Sequence, residues 1–518
     1  MLMFLGGEGG TGKSAVLRAL TMLMSSLGIR NRLRIGAQTG VAAGNVDGST
    51  LHTLLDLMDM KRGKGPRDIS DKVVGNFKNV GFFFVDEFPM SGGCMVHTLS
   101  TKLSDALSSN EPFGGLDMIF TGDFYQLPPT TNDPLYRYPD PSASVNLSNA
   151  SKGIIKFKEL THVIILRQQH RMKDKVYKDF VTRFRHGNCT QSDQQYCKTK
   201  VIDGRNNLAK GPLSKLEKEP TIIVTGNERR YHINMYKAKQ AAENLGEKLL
   251  INIAKDTCTK QKLDILTRRE FLLHFECGKT SYGAGLLPMY TGMPIMMKKN
   301  VGTELGVSNG STGTIHHILL NSREQIDYTN LKPHYLRYHP IAVYVKLDVK
   351  KDQQNKDEIK FHLPGLPPNV FQLSTSLPEK SFPMMVDLIP SHLSHTISVK
   401  RTQFKFLPAF AITVYSSQGR TMDSAIVCLD GSFKFNAKPY VMLSRLTNGT
   451  NLGILGTWSR SLWNIKPDPL IVSYLDDAIY PKENATRDRV PRERALSHVM
   501  ETQLREKARS MLNENRLV

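Results

Sequence analysis

Met1–Leu5 is a short apolar run, and after a glycine-rich break Ala15–Leu27 carries apolar residues at helical spacing. The alternation continues. Leu33–Ala37, Phe82–Val85 and Met118–Thr121 read as strands bounded by glycine, aspartate or serine, with helical patterns between them, including Met95–Ser108. Strand and helix in turn predict an α/β fold, a parallel sheet with helices on both faces. Functional side chains then belong at the carboxyl ends of the strands.

A second unit of the same kind begins near Leu166. It has a strand at Thr221–Val224, a helix at Arg229–Asn244, and resumes at Phe410–Val414 and Ala425–Leu429. Between these halves the period changes to two. Thr314–Leu320 and Ile341–Val349 read as strands, the latter placing Ile341, Val343, Val345, Leu347 and Val349 on one face, and a proline-rich connector, Leu363–Pro368, follows. The expected division is a first α/β domain over residues 1–165 and a second over 166–300 and 400–470. A small antiparallel β insertion occupies 301–399, and a charged, partly helical tail occupies 471–518. In that tail Leu496, Val499, Met500, Leu504, Ala508 and Met511 share one helical face.

Composition narrows the class. The 518 residues carry 69 Lys+Arg against 48 Asp+Glu, a net charge of +21, which favours a polyanionic partner such as nucleic acid. Apolar content of 40% marks a globular chain, and no stretch is long and apolar enough to span a membrane. The six cysteines are scattered without a C-x-x-C pair, which argues against a zinc knuckle and suits a reducing compartment. The basic run Lys61–Arg67 reads as a solvated loop, with a nuclear signal as the alternative.

The break after the first strand is Gly7-Glu8-Gly9-Gly10-Thr11-Gly12-Lys13-Ser14, which fits G-x-x-x-x-G-K-[ST]. Backbone N–H groups of such a loop cradle phosphates at a helix N-terminus, Lys13 supplies a charge near the β/γ-phosphates, and the Ser14 hydroxyl can ligate Mg²⁺. The strand at Phe82–Val85 runs into Asp86-Glu87; beside a phosphate loop, Asp86 suits the metal shell and Glu87 the activation of water. The strand Met118–Thr121 leads into Gly122-Asp123-Phe124-Tyr125-Gln126, where the Gln126 amide can sense a γ-phosphate because it both donates and accepts. Arg171 and Arg445 suit trans-domain neutralisation of developing charge through a planar guanidinium fork.

These stations occur in the order found in the Pif-type helicases of superfamily one, which the chain resembles over about residues 4 to 455. Gly7–Ser14 looks like motif I. Thr39–Ala43 with Gly48–His52 resembles motif Ia and its extension, and Asp86-Glu87 resembles motif II. Gly122–Pro129 is similar to the family's G-D-F-x-Q-L-P-P. Arg171 matches motif IV, Thr413–Asp423 motif V and Tyr440–Arg445 motif VI. Gly292-Met293-Pro294, with Asn309-Gly310 and Thr312-Gly313, is similar to the family segment entering a small β-barrel insertion.

The resemblance implies two RecA-like P-loop domains with parallel sheets and the barrel-like insertion in the second. It implies an ATP- and Mg²⁺-dependent DNA helicase moving 5′ to 3′ on single-stranded DNA, with roles in repair, recombination, replication or telomere maintenance. Thr39, Gly40, His52, Thr413, Ser417 and Gln418 are the DNA contacts it implies, with Phe124, Tyr125 and Tyr415 as stacking candidates. Its partners would be single-stranded DNA and DNA junctions, with no membrane, inside the cell in the nucleus or alternatively the mitochondrion.

Two departures from the family pattern carry their own expectations. The glutamine-bearing adenine segment that precedes motif I in the family is expected to be lacking, and Tyr415-Ser416 stand where the family has His-Lys. Two alternative readings follow: a DNA-binding remnant without turnover, or the helicase part of a rolling-circle transposon protein of the Helitron kind.

Overall fold

The computed structural model describes residues 1–57, 70–130, 133–137, 147–202, 219–258, 272, 283–302, 305–349, 358–375, 382–386, 395–431, 433–456 and 458–487. The basic run at 61–67 and the apolar face at 496–511 lie outside the described residues. The chain divides into two compact units. The first comprises Met1–Gln38, Thr50–Arg171 and the segment from Lys466 onward; the second comprises Thr39–Ser49 and Met172–Ile465.

The first unit is built on strands β1 (Leu2–Gly7), β2 (Leu33–Ala37), β3 (Ser49–Thr50), β4 (Phe82–Asp86), β5 (Asp117–Gly122) and β6 (His162–Leu166). They form one sheet in the order β3-β2-β4-β5-β1-β6, and the five strands other than β3 pair in parallel. β1 lies between β5 and β6, its Leu5 beside Thr121 and Ile164. The loop after β1 therefore leaves the carboxyl edge of the sheet next to the ends of β5 and β6.

Aromatic residues hold this layer together. Phe4 packs on Phe124 and Phe157, with ring centroids 5.2 and 6.2 Å apart, and Phe88 stacks on Phe120 at 4.1 Å. Each ring buries a large apolar area, and the offset and edge contacts add about 0.5–1.5 kcal/mol per pair. The helices Gly93–Ala106 and Asn149–Lys158 cross where a Cβ at Gly153 would stand 1.8 Å from the Gly93 carbonyl oxygen, so only glycine permits the approach.

The segment after Lys466 belongs to this unit by its contacts. Tyr474 meets Phe124 edge-on at 5.3 Å. Thr486 Oγ1 accepts a hydrogen bond from Val163 N on β6 at 3.0 Å. Arg167, just past β6, donates to both oxygens of Glu483 at 2.5 and 2.7 Å, and Arg487 adds a third bond at 2.9 Å. Burial alone would raise the pKa of the Glu483 carboxyl, but the hydrogen bonds and charge of Arg167, with Arg487, hold it below its ordinary value.

The second unit has its own parallel sheet, in the spatial order Ala411–Thr413, Thr221–Val224, Ala425–Cys428, Leu452–Leu455 and Val201–Ile202. The helix Asn227–Leu245 follows the second of these strands. An antiparallel sheet lies between the two halves of this parallel sheet in sequence. Its order is Val370–Leu373, Ala342–Leu347, Thr312–Leu319, Pro294–Met297 and Phe406–Pro408. Val343, Val345 and Leu347 face the core as the period of two predicts, but Ile341 is 54% exposed because the strand starts one residue after it. Among the described residues no helix is long and apolar enough to cross a membrane.

Candidate active site

Three glycines shape the first loop. Gly7, Gly10 and Gly12 have φ of +151°, +96° and +97°, a region that side chains disfavour. Gly12 is the residue before the helix Lys13–Ser26, so the N-terminus of that helix opens onto the loop. Thr11 Oγ1 donates to the Glu8 carbonyl at 2.9 Å and braces the turn from inside. Lys13 Nζ donates to the Gly7 and Glu8 carbonyls at 2.6 and 3.0 Å, which keeps its ammonium within the loop. Ser14 follows in the first turn, half-buried. This cradle of amides and one ammonium fits a polyphosphate.

The two acids end β4 as the sequence predicts. Asp86 is buried, and its Oδ1 accepts from Thr121 Oγ1 at 2.5 Å and from Glu87 N at 2.9 Å. Thr121 thus fixes the carboxylate from the neighbouring strand. Sequence reasoning passed over it, although its place before Gly122-Asp123 was the available signal. Glu87 has left-handed backbone angles, φ 52° and ψ 36°. Gly122 backs this turn, since a Cβ there would lie 2.2 Å from Pro89 Cδ. Gln126 is 3% exposed, and its Nε2 donates to Asp123 Oδ2 at 3.3 Å. Its Oε1 is buried with no hydrogen-bond partner among the described residues, an orphan that suits a ligand donor.

Arg171 lies in the first unit, beside the loop: a Cβ at Gly10 would stand 2.4 Å from Arg171 Cβ. Arg445 belongs to the second unit and is 1% exposed. Its guanidinium donates to the Val441 carbonyl at 2.8 Å, to Ser444 Oγ at 2.7 Å and to the Arg420 carbonyl at 3.5 Å.

Of the expected DNA contacts, His52 is an exposed residue of the first unit, and the rest fall in the second. Thr39 caps the helix Gly40–Asn45, its Oγ1 accepting from Ala42 N at 3.2 Å. That helix belongs with the motif V segment: Asn45 Nδ2 donates to the Gly419 carbonyl at 2.9 Å. Gly40 sits against Ser308 and Asn309, where a Cβ would meet the Asn309 carbonyl at 2.4 Å. The structure thereby brings Thr39 and Gly40 into one neighbourhood with Gly419, Asn45 and Asn309, a grouping the sequence did not announce.

Thr413 caps the helix Val414–Ser417, its Oγ1 accepting from Ser416 N at 3.4 Å. Ser417 is wholly buried and donates to the Val414 carbonyl at 2.7 Å, and Gln418 is buried as well. These side chains shape the segment from inside. Phe124 and Tyr125 are also buried, the former in the aromatic layer, which leaves Tyr415 as the half-buried stacking candidate.

The glycine loop at a helix N-terminus after β1, the buried glutamine in the segment after its neighbour β5 and the two acids at the end of β4, the strand beyond, form a constellation suited to a polyphosphate on an α/β unit. Residues 1–195 match the family profile described as PIF1-like helicase.

A PIF1 DNA helicase of Saccharomyces cerevisiae (strain YJM789) is 31% identical over 194 residues, covering 36% of this chain and 21% of its own length. One from Candida albicans is 23% identical over 505 residues, covering 88% of this chain and 52% of its own. The chain thus spans about half the length of the latter relative. Among solved structures, Bacteroides Pif1 helicase in complex with ADP-AlF3 and single-stranded DNA superposes with a TM-score of 0.57 at 19% identity, over 92% of each chain. At that identity the likeness bears on the fold.

Proposed function

We propose that this chain is an ATP-dependent DNA helicase whose hydrolysis drives 5′-to-3′ movement along single-stranded DNA and opens duplexes and junctions. The observation that carries this reading is the constellation at the carboxyl edge of the first sheet. There the loop Gly7–Ser14, Asp86, Glu87 and the orphaned Gln126 Oε1 occupy adjacent strand ends. The names of the relatives support the same activity, and the basic charge supports a nucleic-acid partner.

In this reading the amides of Gly9, Gly10, Thr11 and Gly12 and the Lys13 ammonium bind the phosphates. Mg²⁺ would be held by Ser14 Oγ and Asp86 and would neutralise charge on the transferred group. Glu87 accepts the proton of the attacking water at its carboxylate, Gln126 orients that water or the γ-phosphate oxygens, and Arg171 and Arg445 offset developing charge. Thr39, Gly40 and His52 touch the strand, while Thr413, Ser417 and Gln418 shape the motif V segment beside it. The nucleus is the proposed place of that work, with the mitochondrion as the alternative.

The test is ATP turnover with and without single-stranded DNA, and displacement of a strand from duplexes with a 5′ or a 3′ tail. DNA-stimulated turnover and unwinding of the 5′-tailed substrate are expected. Lys13→Ala or Glu87→Gln should reduce turnover by about 10²–10⁴-fold. Single-strand binding with no turnover in the unsubstituted protein would instead favour the remnant reading.

A further inference from the structure

Gln169 holds the phosphate loop from outside. It is 7% exposed, and both ends of its amide are bonded to backbone. Nε2 donates to the Gly9 carbonyl at 2.5 Å, 160 residues away in sequence, and Oε1 accepts from Arg171 N at 2.7 Å. The next residue adds a parallel bond, His170 N donating to the Gly10 carbonyl at 2.9 Å. The fit is close: a Cβ at Gly10 would lie 2.2 Å from Gln169 Oε1. One side chain thus joins the outer turn of the loop to the backbone of the arginine beside it.

The planar trans peptide gives that joint a direction. Across one peptide unit the C=O and N–H point in opposite senses, so a Gly9 carbonyl turned toward Gln169 turns the Gly10 N–H away from it, into the loop. The same amide fixes the start of Arg171. We propose that Gln169 is a positioning residue for phosphoryl transfer, coupling the closed shape of the phosphate loop to the placement of Arg171. Asparagine, one methylene shorter, cannot span both partners. Glutamate keeps the acceptor for Arg171 N but sets a carboxylate oxygen against the Gly9 carbonyl.

This inference rests on the helicase reading, and the experiment separates the two. DNA-stimulated ATP turnover is measured for the unsubstituted protein, Lys13→Ala, Gln169→Met, Gln169→Glu, Arg171→Ala and the double variant Gln169→Met with Arg171→Ala. Circular dichroism and thermal midpoints serve as folding controls.

The expected result is a fall in kcat of about tenfold or more for each Gln169 variant, with KM for ATP changed less than about threefold. In the Arg171→Ala background Gln169→Met should cost less than about a further twofold, because both substitutions remove one coupled function. A residue needed only for folding would lower the thermal midpoint and leave kcat of the folded fraction alone. If Gln169→Met does not fold, Gln169→Glu is read in both backgrounds. A kcat within about twofold of the parent, or effects that multiply with Arg171→Ala, overturns the proposal while leaving the helicase reading intact. Absence of turnover in the parent itself removes both.

Discussion

Glu87 sits at φ 52°, where a side chain with a Cβ is uncommon and strain is of the order of 1 kcal/mol or more. Its neighbours over-determine the turn: Glu87 N is held by Asp86 Oδ1, and Gly122 closes on Pro89 behind it. Glycine adopts the same angles without the Cβ penalty. Glu87→Gly is therefore expected to leave the thermal midpoint unchanged or slightly raised while turnover falls by about 10²-fold or more. Differential scanning calorimetry beside an ATPase assay reads both quantities. A marked loss of stability would show the carboxylate to be a structural tie.

At the scale of elements, the segment after Lys466 closes the edge of the first sheet through β6. The Arg167–Glu483–Arg487 cluster is its polar anchor, with Glu483 almost fully buried and both arginines more exposed. A carboxyl whose folded pKa lies below its unfolded value adds stability that is full above the unfolded value and fades as pH falls through the folded one. For Glu483 that window lies below its ordinary 4.5. Arg167→Ala, which strips a buried carboxylate of its bidentate partner, should destabilise the first unit by about 1–3 kcal/mol at neutral pH. The difference from the parent should shrink in acid, as read by urea denaturation at pH 7 and pH 3.5. A difference independent of pH would mean that Arg167 acts through packing alone.

The elements also show what the chain discloses about itself. Strands at Leu33–Ala37 and Thr221–Val224 were legible to the residue, because a buried parallel strand is predominantly apolar and is cut off by turn formers. The phosphate loop and the acids were legible because the chemistry needs fixed residue types at short spacing. Gln169 was not, since its partner Gly9 lies 160 residues away and a lone glutamine has no pattern. Nor was the grouping of Thr39–Ser49 with the second unit, which depends on Asn45 meeting Gly419 across 374 residues.

Over the whole molecule, a net charge of +21 sets how a polyanion is held. Binding of a single strand by neutralising Z phosphates gives log K a slope of about −0.7Z against log salt. The motif V segment contributes no lysine at Tyr415-Ser416, and Ser416 is half-exposed, its hydroxyl 3.1 Å from that of Thr413. A lysine on this short helix can direct its ammonium to solvent without disturbing the Thr413 cap, which is made by backbone N–H. Ser416→Lys should therefore add about one phosphate contact, tightening single-strand binding at low salt and steepening the slope by about 0.7. Fluorescence anisotropy of a labelled oligonucleotide from about 50 to 200 mM salt measures it. An unchanged slope would place the strand away from Thr413–Gly419, and the neighbourhood of Thr39 and Gly40, which packs on that segment through Asn45, would lose its claim to contact DNA as well.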